Sequence, residues 1–290
     1  MEEARTFITA DSTTIAYRIM RRTETHRTSP RRTLVLLHGL ASNMTRWTEF
    51  TTSTRLSEDC DILRLDLRGH GGSVSRGRID MEVWCADLAA LLRAEGVDKA
   101  ELVGHCLGAN IALWFARRHP ELVSGLVLIE PMFRAALSGR MSTVLSLRPV
   151  IKALIPLLLA LAALGVHRRR LESLDLAELD RTARKAMAEA GFPTDRYASP
   201  LKDLRRLPLV VYLQALLAVT GPLPELSRIK APVLTLLSTG GAFGDPQATA
   251  RLLAALPQGR IENLDALHWI PTEQPVAMRE AIERWCDRSD

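Results

Sequence analysis

The chain has 290 residues, which fits one large domain or a core domain with an insertion. Hydrophobic residues make up 47% and charged residues 24%, as in an ordinary water-soluble globular protein. The formal charge is +5, nearly all of the excess from arginine, but the arginines form no single block and no aromatic-interleaved basic stripe. That pattern reads as a solvated surface and argues against nucleic acid as a partner.

The N-terminus, Met1-Glu2-Glu3-Ala4-Arg5, is charged, with no apolar segment behind it. No signal peptide and a cytoplasmic location are therefore expected. Cys60, Cys85, Cys106 and Cys286 are far apart in sequence, so neither a CxxC redox pair nor a zinc knuckle is expected. No metal or organic cofactor is implied.

Two short strands are predicted at Thr6–Ala10 and Thr14–Ile19, around a turn at Asp11-Ser12. Thr23–Arg32 is polar and contains proline, and reads as a loop. Leu34–Leu37 and Ile62–Leu65 are fully apolar runs, the signature of strands in a parallel sheet covered on both faces. Asp80 is a candidate N-cap for a helix to about Glu95, closed by Gly96. The strand Ala100–Val103, a helix from Leu107 to about His119, and the strand Gly125–Ile129 follow.

The alternation stops near Met132. To about Ser227 the pattern is helical only, with helices expected over Ser142–Leu164, Asp175–Ala190 and Ser199–Val219. Alternation resumes with a strand at Val233–Leu237, a helix at Pro246–Leu256, a strand at Arg260–Leu264 and a helix at Pro275–Trp285. The expected fold class is α/β: a doubly wound, mainly parallel sheet with one helical insertion. Residues 1–131 and 228–290 form the core of this division, and residues 132–227 form a cap.

Gly104-His105-Cys106-Leu107-Gly108 lies between a predicted strand and a predicted helix. A sharp turn there lifts the central side chain above the sheet edge, and its crowded backbone needs small flanking residues. The positive end of the new helix favours a thiolate at Cys106. A buried packing cysteine is the plain alternative, and the pentapeptide alone does not decide between them.

The context extends the motif. His38-Gly39 ends one predicted strand, and Asp66-Leu67-Arg68-Gly69-His70-Gly71-Gly72-Ser73 follows the next. Leu264-Asp265-Ala266-Leu267-His268-Trp269, with Pro271, Glu273 and Pro275 beyond, lies before the last helix. From about Leu34 onward, these four motifs in this order resemble the α/β-hydrolase superfamily, with cysteine replacing the usual serine nucleophile.

The resemblance implies roles. Cys106 would be the nucleophile, and His268 the general base and then the general acid. The N–H groups of Leu40 and Leu107 would form the oxyanion hole, and His38, Gly39, His105 and Met132 would contact substrate. His38, His70 and His105 would shape loops rather than move protons. The sequence departs from the family at the acid. Alignment from Pro232 puts the usual acid slot at Gly241, which has no side chain. Asp245, just before Pro246, is already explained as a helix N-cap. Glu130 ends the strand after the nucleophile helix, where some branches, haloalkane dehalogenases among them, carry the acid. Glu130 is the preferred acid, with Asp245 as the alternative and no acid at all as the third case.

A cysteine nucleophile gives a thioester intermediate, open to water, thiols and amines. Relatives with cysteine include dienelactone hydrolases, polyhydroxyalkanoate synthases and some thioesterases, and no second motif selects one of them. Val150–Gly165 is almost wholly apolar, with Lys152 its only charge, and is interrupted by Pro156. At about sixteen residues it is short for a membrane span. The preferred reading is a buried cap helix. Lining an acyl tunnel and resting on an anionic membrane surface, helped by Arg148, Lys152 and His167-Arg168-Arg169-Arg170, are the others. The expected function is hydrolysis of an ester or thioester with a hydrophobic acyl part, free or carrier-bound. An acyltransferase or cyclase, or a non-catalytic binding protein that lost its acid, are the rivals.

Overall fold

The computed structural model describes residues 2–22, 31–167, 170–192, 197 and 199–287. Strands β1 (Glu2–Ile8), β2 (Thr14–Met20), β3 (Arg32–Leu37), β4 (Cys60–Leu65), β5 (Ala100–His105), β6 (Val123–Ile129), β7 (Val233–Ser238) and β8 (Gly259–Leu264) form one eight-stranded sheet in the order β1-β2-β4-β3-β5-β6-β7-β8. The pairings β1–β2 and β2–β4 are antiparallel, and all the others are parallel.

The apolar runs explain the layering. Leu34 and Leu36 of β3 face one core, with Trp47, Phe50, Ile282 and Trp285. Val35 and Leu37 face the other, with Trp84, Leu88, Ile111 and Phe115. A strand buried on both faces cannot alternate polar and apolar residues, which is why these runs are continuous.

Helices α1 (Thr48–Ser53), α2 (Met81–Ala94) and α3 (Leu107–Arg118) lie between the first six strands. Asp80 caps α2, its side chain accepting from Val83 N at 3.0 Å. Between β6 and β7 the described chain is helical, with α4 (Arg140–Ala163), α5 (Leu176–Ala190), α6 (Pro200–Arg206) and α7 (Leu209–Val219). The expected single helix over Ser199–Val219 is two, because Pro208 has no N–H and pushes Leu207 out of the helical region. Helices α8 (Pro246–Leu253), α9 (Ile270–Glu273) and α10 (Pro275–Cys286) complete the chain.

Three further expectations change. Arg32 opens β3 rather than closing a loop, and residues 23–30 of that loop, His26 among them, lie outside the described residues. Helix α4 runs through both Pro149 and Pro156, since each proline removes one hydrogen bond yet keeps a helical φ. And α4 is not buried: it contains an 18-residue window of mean hydropathy 2.0 with none of its residues buried. An all-apolar run does not encode whether protein covers it.

Candidate active site

The backbone makes the turn at Cys106. Strand β5 ends at His105, α3 begins at Leu107, and Cys106 between them has φ 52° and ψ −110°. A non-glycine residue in such a conformation costs about 1–3 kcal/mol and persists only where its surroundings impose it. They do so here. A Cβ at Gly104 would lie 2.4 Å from the carbonyl of Gly108, and one at Gly108 would lie 2.3 Å from the Leu37 oxygen. Cys106 N donates to Ile129 O at 2.8 Å, which ties the turn to the end of β6.

Glu130 follows directly on β6, also at positive φ, 51°. Its Oε2 lies 3.0 Å from Nδ1 of His268, and its Oε1 accepts a hydrogen bond from Ser238 N at the end of β7. His268 is 3% exposed, and the Cys106 side chain is close enough to act on its charge. Burial alone would drive the imidazole pKa down. The hydrogen bonds and charges of Cys106 and Glu130 outweigh it and hold the pKa raised, at about 10. Cys106, His268 and Glu130 are therefore brought together.

Asp245 is not part of this group. It caps α8, its Oδ1 accepting from Gln247 N at 2.8 Å and Ala248 N at 3.2 Å, while Nδ1 of His268 faces Glu130. Gly241 has φ 59°, and a Cβ there would lie 2.6 Å from Gly244 O, so this slot is committed to glycine.

A cavity of about 300 Å³ opens above Cys106 and His268. Gly39, Leu40, His105 and Met132 line it. A Cβ at Gly39 would lie 3.3 Å from that of Cys106, which places the chain leading to Leu40 against the thiol. Leu107 is the first residue of α3, so its N–H has no intrahelical acceptor.

His38 is a correction. It is fully buried and does not line the cavity. Its Nε2 accepts from Leu67 N at 3.0 Å, and Nδ1 lies 2.8 Å from Gly39 O, so the ring braces two loops. Burial lowers its pKa to about 4 and that of His70, edge-on beside it, to about 3. Both are neutral at neutral pH. His105 reaches the cavity wall with its Nε2 3.2 Å from His268 O, and burial keeps it neutral too.

Two features were not assigned from the sequence. Glu273 gathers the backbone around His268: Oε1 accepts from His268 N at 3.1 Å and Trp269 N at 2.8 Å, and Oε2 from Leu267 N at 2.9 Å. Its place in the Pro271-Thr272-Glu273-Gln274-Pro275 stretch was the available signal. Arg46 is a buried cation on the cavity wall, paired with Asp180 at 2.6 Å and lying 5.4 Å from the centre of the Tyr197 ring. Nothing in the local sequence around Arg46 marks that long-range pair.

Comparison with known proteins agrees with this architecture. Residues 32–275 match the family model described as alpha/beta hydrolase fold. The chain belongs to the alpha/beta hydrolase fold family. It is 35% identical to epoxide hydrolase 3 of Xenopus tropicalis over 104 residues, 33% of this chain and 27% of that protein. Its matches to the first three curated relatives span only 27%, 33% and 28% of their lengths. A probable alcohol acetyltransferase of Saccharomyces cerevisiae is 24% identical over 283 residues, covering 90% of this chain and 79% of that one. Among solved structures, a hydrolase from Pseudomonas aeruginosa PA01 has a TM-score of 0.69 at 20% identity, covering 98% of both chains.

Proposed function

We propose that this chain hydrolyses an ester or thioester with a hydrophobic acyl part, with Cys106 as nucleophile, His268 as acid–base and Glu130 as the orienting acid. The observation that carries the reading is His268 held on Nδ1 by Glu130 at 3.0 Å and lining the same cavity as Cys106. A carboxylate on Nδ1 fixes the tautomer, with that nitrogen protonated and Nε2 left for the thiol.

The chemistry follows from that arrangement. His268 takes the thiol proton, and the thiolate sulfur bonds to the substrate carbonyl carbon. The carbonyl π pair moves onto oxygen, where the N–H groups of Leu40 and Leu107 stabilise it. As the C–O or C–S bond to the leaving group breaks, His268 returns the proton to the departing oxygen or sulfur. Water, deprotonated by His268, then attacks the thioester, and the proton goes back to the Cys106 sulfur as the acid leaves. The helical segment 132–227 acts as a cap. Met132, Met141, Val144, Leu176, Leu216 and Val219 give the cavity an apolar wall that suits an acyl chain.

A second reading rests on the likeness to the probable alcohol acetyltransferase, which covers most of the chain. An alcohol would then replace water at the thioester. The binding-protein reading drew on Gly241 as a missing acid, and Glu130 beside His268 removes that reason.

The test is intact-protein mass spectrometry after exposure to a series of acyl thioesters of increasing chain length. The reading expects an acyl mass on Cys106 that decays in water, grows with chain preference and is absent in Cys106→Ala. An adduct that persists in Cys106→Ala, or none in the native protein, overturns it. Transfer to an added alcohol in preference to water selects the second reading.

A further inference from the structure

Helix α4 carries a solvent-facing apolar stripe. Leu147, Val150, Leu154 and Leu157 recur at helical spacing and are 49%, 63%, 39% and 56% exposed. Leu164, Val166, Leu201 and Leu209 are also exposed large apolar residues of the helical segment. A chain that leaves this much apolar surface uncovered has a partner for it.

Charge narrows the choice. Between Glu130 and Glu172 the sequence has seven Arg and Lys and no Asp or Glu. Lys152 is exposed and lies on α4 itself. A second copy of this chain would meet the same positive charge, whereas a negatively charged lipid surface complements it.

The tethers of α4 decide its posture. At about 1.5 Å per residue the helix is roughly 36 Å long, enough to cross a bilayer core of about 30 Å. Yet both ends are tied back to the same core. Before α4, Ser138 N donates to Phe243 O at 3.1 Å, and near its far end Leu158 and Leu159 pack against the buried core. In its middle, Arg148 Nη1 donates to Leu217 O of α7 at 2.8 Å. A helix held at both ends and in the middle lies along a surface rather than through it.

We propose that α4 is a membrane-docking helix that lies in the headgroup layer of an anionic phospholipid bilayer, its Leu147–Leu157 stripe toward the acyl chains and Lys152 on the phosphates. The beginning of the same helix, Met141 and Val144, lines the cavity above Cys106. Resting on the proposed reaction, the substrate class is then a bilayer-dissolved acyl ester or thioester that reaches the cavity from the membrane.

The experiment is vesicle co-sedimentation of the 290-residue chain carrying Cys106→Ala, so that binding is read without turnover. Vesicles of phosphatidylcholine alone are compared with vesicles containing phosphatidylglycerol, each at low and high salt. Binding is expected on the anionic vesicles and weakened by salt. The double variant Val150→Asp/Leu157→Asp is expected to lower the partition coefficient at least about tenfold, with its melting temperature unchanged because both sites are exposed. In the native background the same pair leaves hydrolysis of a short soluble ester unchanged. No binding to either vesicle, or binding indifferent to the double variant, overturns the proposal. A dimer in solution that the double variant dissolves, with no lipid binding, overturns it in favour of a second copy. Failure on vesicles with a normal Cys106 acyl adduct leaves the catalytic reading standing and the docking claim refuted.

Discussion

Glu130 and His268, 138 positions apart in sequence, meet at 3.0 Å through Oε2 and Nδ1. The carboxylate is itself held by Ser238 N, so strands β6 and β7 together fix the direction in which the imidazole points. The two candidate acids can therefore be separated by mutation.

Glu130→Gln keeps the shape of the side chain but removes its charge. Activity on an acyl thioester is expected to fall by about 10–100-fold, mainly in kcat, a smaller loss than in a serine enzyme because a thiol ionises more readily. Asp245→Asn is expected to be nearly silent, since asparagine caps a helix as well as aspartate. Steady-state kinetics of the two variants side by side give the answer, and the opposite order would move the acid to Asp245.

The order of cysteine alkylation and the pH dependence of stability follow from the site's burial and charges. Cys106 lines the cavity beside His268 and is expected to be the cysteine that iodoacetamide reaches first. Burial pushes the Cys85 thiol up to about 11 and the Cys286 thiol upward as well, so peptide mapping will show the label on Cys106 before either of them. Glu130→Gln removes a charge that raises the His268 pKa and is expected to lower it, which NMR titration of the imidazole checks. The raised pKa also contributes stability. The contribution is fully present below the unfolded value near 6.5 and is lost as pH rises through about 10. The melting-temperature gap between the native protein and His268→Gln is expected to shrink from pH 6 to pH 10.

Restoring an acid at the usual slot will not help. Gly241→Asp puts a side chain at φ 59° with its Cβ 2.6 Å from the Gly244 carbonyl oxygen. A loss of about 1–3 kcal/mol in denaturant unfolding is expected. The double variant Glu130→Gln/Gly241→Asp should recover no activity over Glu130→Gln. Recovery to native kcat would mean the loop relaxes more easily than its packing implies.

Glu273 is a positioning residue. Glu273→Gln leaves one carbonyl oxygen to serve the three N–H groups of Leu267, His268 and Trp269. Expected are a loss of about 1–3 kcal/mol in stability and a fall in kcat with KM little changed. A change confined to KM would place Glu273 in substrate binding instead.

Much of this was legible in the sequence because the backbone required it. Gly104 and Gly108 announce a turn no larger residue could make, and continuous apolar strands announce a sheet covered on both faces. Glu130 was singled out by the resemblance, as the residue at a strand end where some branches of the superfamily carry an acid, and it faces His268. The direction of the His38 ring could not, since a motif fixes where a residue sits and not which backbone groups will surround it. The exposure of α4 was hidden for a related reason: hydrophobicity without periodicity does not say which side is covered. The Arg46–Asp180 pair joins distant segments and leaves no local pattern.

With Glu130 at the end of β6 facing Nδ1 of His268, the stretch after β7 places no carboxylate on that ring. It carries Phe243 instead, whose ring meets that of His268 edge-on at 4.7 Å, and Gly244 bridges back to Leu137 just ahead of α4. The cavity wall is thus coupled to the segment that leads into α4. Backbone bonds from Thr239, Gly240 and Ala242 also reach Leu264, Ala266 and Leu267, so a substitution at Phe243 would act on the cavity wall and on the His268 ring at once, and acyl-chain fit and reactivity would change together along this stretch.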